Sequence, residues 1–273
     1  MNRIDATFER LRRKGEKALI PYLTAGDPDL EVTVALILEF EGRGADIVEI
    51  GVPFSDPLAD GVTIQRASQR ALQKGTTLSK ILRMIVKVRR RSQLPLVLMS
   101  YFNPILRFGI QRFVKEATAA GVDGVILPDL PPEEAGELRQ ASEEAGLHPI
   151  FLLAPTSSEA RIDQIADASK GYIYYVSLRG VTGARDRLAE GVGQAVLRIK
   201  AKTKTPVAVG FGIGTPDQAR VVASYADGVI VGSAIVARVE EHLGRTDLVQ
   251  RVGAFVAQVK AAMLERGSQD AGS

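Results

Sequence analysis

Eight short apolar runs, each separated from the next by residues that include stretches of helical periodicity, constrain the fold of this chain more than any other feature. The runs cover 18–23, 46–50, 95–100, 124–127, 148–153, 172–177, 206–209 and 228–231, and helical segments such as 30–43, 63–73, 132–145, 193–202 and 216–224 lie between them. Strands buried on both faces read as continuous apolar runs, so the alternation predicts a parallel sheet covered by helices. Closing eight such strands into a (β/α)8 barrel of the TIM type leaves no exposed edge; an open doubly wound sheet is the alternative. The 273 residues, 45% apolar and 25% charged, suit one domain of this kind. The barrel is expected over about 17–266, with an extra helix at 4–13, a closing helix at 247–266, and a small polar tail at 267–273 that should fray. Three strands enter through similar words, GADIVEI, GVDGVIL and YADGVIV, at unequal spacings that do not make a solenoid repeat.

Charge narrows the function. Lys and Arg number 35 against 32 Asp and Glu, a formal excess of +3, and no basic stripe interleaved with aromatics marks a nucleic-acid surface. The basic clusters at 10–14 and 89–91 fall at predicted helix ends, where cations suit the dipole and face solvent. The chain has no cysteine, which removes disulfides and thiolate metal sites and is compatible with a reducing cytoplasm. Its two histidines, His148 and His242, show no metal-ligand spacing. With no long apolar window and no leader-like start, the chain reads as a soluble protein without membrane or nucleic-acid partners.

In a barrel of this type the chemistry gathers where strands end and loops begin. The stretch EIGVPFSDPLADG, from Glu49 to Gly61, ends the second strand. Side-chain alternation gives Glu49 the face of Ile47; if Ile47 points to the barrel axis, Glu49 is a carboxyl at the mouth of an apolar interior. Desolvation there raises its pKa, which suits proton transfer near neutrality, unless an Arg or Lys partner keeps it ionised. Asp56 and Asp60 flank prolines and a glycine and could be turn or capping residues. A second constellation follows the last three strands: SLRGVTGARDRLAEG, GFGIGTPDQ and VGSAIV. Its glycines and the helix begun by Ser233 can present backbone N–H groups to an anion, and Gly212, Gly232 and Ser233 fall where barrels often hold phosphate. Neither a P-loop nor a complete GxGxxG occurs, so nucleotide binding is unsupported. The charged stretch 183–191 has the makings of a lid.

The ordered words ALIPYLTAGDPD, VEIGVPFSDPLADG, GVILPDLP, VSLRGVTGA, VGFGI and VGSAIV resemble the tryptophan synthase α subunit family along nearly the whole chain, and PFSDPLADG and GVTG are specific to it. The resemblance implies a lyase that splits indole-3-glycerol phosphate into indole and glyceraldehyde 3-phosphate by a retro-aldol reaction, using no organic cofactor or metal of its own. It implies Glu49 as the acid and base, Asp60 as the acceptor of the indole N–H, and Tyr174 as an active-site tyrosine. Tyr22, Leu127 and Phe211 would pad the indole, and Gly183, Gly212, Gly232 and Ser233 would hold the phosphate. It further implies a pyridoxal-phosphate β subunit that receives indole in an αββα assembly, with Pro53, Asp56 and the Asn103-Pro104 turn toward that partner. Val62 stands where the family usually has proline, which should leave the end of the loop freer. Two rivals share parts of this pattern: a barrel lyase or isomerase acting on another sugar phosphate, and a non-catalytic phosphate-binding barrel that activates a partner enzyme.

Overall fold

The computed structural model describes residues 1–176, 185–210 and 212–265, the side chains of 185–190 excepted. Strands β1 (Ala18–Thr24), β2 (Val48–Gly51), β3 (Leu96–Met99), β4 (Gly124–Ile126), β5 (His148–Ile150), β6 (Leu152–Leu153), β7 (Ile173–Val176), β8 (Val207–Gly210) and β9 (Gly228–Val231) form one parallel sheet. Around it lie α1 (Arg3–Lys14), α2 (Leu30–Gly42), α3 (Val62–Gln73), α4 (Leu78–Arg89), α5 (Phe102–Phe108) and α6 (Ile110–Ala120). The second half adds α7 (Gly136–Ala145), α8 (Glu159–Ala168), α9 (Arg185–Lys200), α10 (Pro216–Ala223), α11 (Ser233–Glu241) and α12 (Leu248–Leu264).

The sheet order is β5-β4-β3-β2-β1-β9-β8-β7-β6. Its two ends, β5 and β6, are one sequence run broken only at Phe151, so the ends meet and the sheet closes as a barrel rather than lying open. The expected fifth strand is therefore two short ones. The Phe151 N–H is taken by the Ser169 hydroxyl (3.3 Å), which interrupts the ladder, while its carbonyl accepts from Tyr174 N (3.0 Å) and joins the seam.

Two apolar layers result. Ala18, Ile20, Ile47, Val97, Ile126, Ile150, Tyr174, Ala208 and Ile230 point along the axis, and a larger shell packs the outer face of the strands against the helices. Helix α1 closes the N-terminal end of the barrel: Ile4, Phe8 and Leu11 are buried in the axial cluster, each worth roughly 1.5–3 kcal/mol of burial. The Phe8 ring lies 6.0 Å, centroid to centroid, from Tyr172. Asn2 starts α1 by accepting from Ile4 N (2.9 Å) and ties it down by donating to the carbonyls of Asp123 and Gly146. Asp5 pairs with His148 Nε2 at 2.8 Å.

The three similar words have a physical counterpart. Asp46, Asp123 and Asp227 each accept an N–H from the first two residues of the neighbouring strand, from Leu19, Leu96 and Val207 at 3.0, 2.8 and 3.0 Å. Each also pairs with a cation, Lys260, Arg89 and Lys200 respectively. Arg89 thus departs from the expectation of a solvated basic cluster. Its side chain is 10% exposed and also donates to the carbonyls of Gly121 and Leu94, because it ends α4 against the start of β4.

Other boundaries differ from expectation. Residues 132–134 are turn and α7 starts at Gly136. Residues 185–191 of the expected lid are the opening of α9, a helix that begins eight residues earlier than the sequence pattern suggests. Asn103 and Pro104 lie in the first turn of α5 rather than in a free turn; proline fits there because first-turn N–H groups lack intrahelical acceptors. The rest of the lid stretch, with Gly183, and also Phe211 and the tail 267–273, lie outside the described residues.

Candidate active site

Ile47 belongs to the axial cluster, so the alternation along β2 carries Glu49 into the barrel, where it is fully buried. Among the described residues no Arg or Lys reaches it. Among those residues the Tyr172 hydroxyl donates to Oε1 at 2.6 Å, while Oε2 is buried with no partner among them. Loss of water raises the Glu49 pKa to about 8, the Tyr172 bond pulling the other way. An orphaned carboxyl oxygen in a packed interior is costly for structure, and such groups concentrate at sites of chemistry.

Asp60 lies in the loop between β2 and α3, on the same end of the barrel. It does not cap α3: Gly61 is the capping residue and receives no side-chain bond. Instead Tyr101, which follows β3, accepts the Ala59 N–H at 2.9 Å, and its hydroxyl acts on the acidity of the Asp60 carboxyl. Partial burial raises Asp60 to about 6, against the lowering effect of Tyr101. Two carboxyls thus share one barrel mouth with different proton affinities, the deeper one holding its proton more tightly.

Tyr22 on β1 and Tyr174 on β7 are buried beside this pair, and the charges of Glu49 and Asp60 both act on each phenol, adding to the rise that burial causes. Glycine makes room for both rings. A Cβ on Gly51 would stand 2.0 Å from the Tyr22 hydroxyl, and one on Gly210 would stand 2.4 Å from that of Tyr174. Tyr22 also packs with Ala67 of α3 and Val236 of α11.

Across the mouth, Gly232 follows β9 and starts α11 with no side-chain cap. The N–H groups of Ile235 and Val236 already donate to the Gly232 carbonyl, so among the described residues those of Ser233 and Ala234 are left without an acceptor, the arrangement that suits an anion. Gly212 (φ 78°) follows β8 on the same rim. The acid pair and the cradle thus share the C-terminal end of the barrel. Leu127 is buried just past β4, but with residues of the outer shell, so its contacts do not bring it to Glu49. In the loop after β2, Pro53 is buried, whereas Asp56 is exposed and accepts from the Ser55 hydroxyl at 2.6 Å. Asn103 is exposed and Pro104 half-buried. Among the described residues no group of three or more His, Cys, Asp or Glu is placed to hold a metal, and no helix is long and apolar enough to cross a membrane.

Tyr172 and Tyr101 were not singled out from sequence. The signal for Tyr172 is the period of two along β7, which puts it on the face of Tyr174; the influence of Tyr101 on Asp60 spans 41 residues and leaves no local mark. Val62 is the first residue of α3, is 62% exposed, and follows Gly61 at φ −72°, ψ 160°, a conformation that proline tolerates in its predecessor. Val62→Pro is expected to stabilise the chain by about 0.5 kcal/mol, read as a higher denaturant midpoint. A lower midpoint would show that the loop end needs the freedom valine gives.

Comparison with known proteins gives one answer. The family model described as tryptophan synthase alpha chain matches residues 8–264. The tryptophan synthase alpha chain of Geotalea uraniireducens (strain Rf4) is 55% identical over 263 residues, covering 96% of this chain and 98% of that protein. That of Geobacter sulfurreducens is 54% identical, covering 96% and 99%. Among solved structures, the tryptophan synthase alpha chain from Legionella pneumophila subsp. pneumophila aligns at a TM-score of 0.90 with 41% identity, covering 98% of this chain and 99% of that one. A chain of tryptophan synthase from M. tuberculosis aligns at 0.87 with 37% identity, covering 96% and 99%.

Proposed function

The chain belongs to the tryptophan synthase alpha chain family, and we propose that Glu49 and Asp60 carry out its reaction, the cleavage of indole-3-glycerol phosphate to indole and glyceraldehyde 3-phosphate. The observation that carries the assignment is the pair of carboxyls of unequal acidity, one sealed and one half-exposed, on the rim that also holds the free N-terminus of α11.

Glu49 is protonated at neutral pH, since its pKa of about 8 lies above it. Tyr172 occupies Oε1, which leaves Oε2 to carry the proton. That proton goes to the ring carbon bearing the glycerol chain and gives a cationic indolenine. Asp60, ionised above about pH 6, accepts the indole N–H and stabilises the cation with a charge already in place. The Glu49 carboxylate then takes the proton of the adjoining glycerol hydroxyl. The C–O becomes an aldehyde, the C–C bond breaks, and its electron pair returns to the ring and quenches the cation. Glu49 ends protonated, ready for another turnover. Tyr22 and Tyr174 flank the indole. Gly183, Gly212, Gly232 and Ser233 bind the phosphate through N–H groups and one hydroxyl. Release of indole from indole-3-glycerol phosphate by the isolated chain, against no turnover of a panel of other sugar phosphates, is the direct test.

Family membership implies partnership with a tryptophan synthase β subunit, which takes up the indole. The finer reading is an αββα tetramer in the cytoplasm in which pyridoxal phosphate belongs to the β subunit alone. The loop after β2 is the face for that partner: Asp56 is exposed, Leu58 beside it is 95% exposed, and Asn103 and Pro104 begin α5, the helix that carries exposed Leu106. Buried Pro53 shapes the loop. Because Asp60 ends the same loop, Asp56→Ala is expected to weaken mutual activation about fivefold or more when the two subunits are mixed. Unaltered activation and α-site kinetics would remove this loop from the coupling.

A further inference from the structure

Outside the acid pair and the cradle, a heavily bonded polar cluster joins three consecutive segments around the barrel. Asp27, in the loop after β1, is 3% exposed and receives both Nε and Nη2 of Arg70 at 2.8 Å. The same guanidinium donates through Nη1 to Glu240 Oε1 at 2.6 Å. Arg66, one turn earlier on α3, grips Glu240 with Nε and Nη2 at 2.8 and 2.7 Å. Two guanidiniums hold Glu240 well below the usual carboxylate range. Lysine could not supply this arrangement, because only the planar fork of arginine reaches two oxygens of one carboxylate and a third oxygen elsewhere.

The position of the cluster gives it meaning. Helix α3 begins two residues after Asp60, and α11 begins with Ser233. Arg70 and Glu240 stand toward the far ends of these helices, and the Tyr22, Ala67 and Val236 contact lies between the ion cluster and the mouth. We propose that Arg70 and Glu240, seated on Asp27, are positioning residues that fix the helix carrying the phosphate cradle relative to the segment carrying Asp60, and so set how an anchored substrate meets the acid pair. This rests on the assignment of Glu49, Asp60 and the α11 cradle made above.

A misplacement of the order of 1 Å between an anchored substrate and its catalytic groups costs far more in turnover than in binding. Glu240→Gln keeps the shape and weakens the hold on both guanidiniums at a partly exposed site. It is expected to lower kcat about tenfold, with KM and the inhibition constant of glyceraldehyde 3-phosphate within about twofold of the parent. Arg70→Lys, which retains the charge, should keep more kcat than Arg70→Met. The proposal is overturned if Glu240→Gln keeps the parental kcat while its melting temperature alone falls, or if kcat and the inhibition constant shift together, which would mean a damaged cradle. Glu49→Gln, measured alongside, touches none of these residues; parental cleavage by that variant would reject the acid assignment without bearing on the ion cluster.

Discussion

Glu49→Gln is expected to fold, to bind indole-3-glycerol phosphate and to lose indole release by about 10³-fold or more, because in the proposed mechanism one carboxyl performs both proton transfers and general acid–base catalysis contributes about 10²–10⁴ for a positioned group. The fold should not suffer. Glutamine keeps the volume and an oxygen for the Tyr172 hydroxyl. Stability gives an independent reading of the same residue. Glu49 rises from 4.5 to about 8 on folding, so between these values the unfolded chain has released a proton that the folded chain still holds. Stability contributed by neutral Glu49 is complete below the lower value and falls as pH rises through the window. The glutamine variant has nothing to titrate there. Its melting temperature should exceed that of the parent at pH 8, with the gap closing toward pH 4. Parental indole production by the variant, or a gap that ignores pH, would mean that Glu49 is a packing residue.

Asp60→Asn is expected to lower kcat/KM by about 10²–10³, the cost of removing one pre-placed electrostatic partner of a developing charge. The amide can still meet the indole N–H, so the loss should fall mainly on the cationic intermediate, in kcat more than in KM. The two carboxyls also predict the shape of the pH profile of kcat/KM. Activity rises as Asp60 ionises through about pH 6 and falls as Glu49 loses its proton through about pH 8. In the asparagine variant the acidic limb should vanish while the alkaline limb stays. Persistence of both limbs would assign the lower one to another group.

How much of this was legible in sequence follows from the range over which each interaction acts. Strand alternation is local, so Glu49 could be aimed inward from Ile47 and the same rule would have exposed Tyr172 beside Tyr174. Position after a strand is local too, which is why Asp60, Gly212, Gly232 and Ser233 could be assigned to one rim. The break at Phe151 was not legible, because it depends on a hydroxyl 18 residues away taking one backbone N–H. Nor was Arg89 legible as a buried anchor: a basic run at a helix end looks solvated until β4 arrives beside it. The similar words before β2, β4 and β9 were visible but lacked a reason. Their shared aspartate binds the start of the strand next door, so the echo marks a repeated solution to one hydrogen-bonding problem rather than a repeated module.

Helix α1 has a bearing on where protons can come from. Its Phe8 ring packs on the ring of Tyr172, whose hydroxyl grips Glu49, so among the described residues the floor of the cylinder is filled beneath the carboxyl and the proposed way in, for substrate and for protons, is the opposite end. A bound substrate is then also the stopper. While it is seated, the hydrogen that Glu49 recovers is the one the glycerol hydroxyl gives up, and each departing indole carries away at carbon the hydrogen left behind by an earlier visitor or admitted from water between visits.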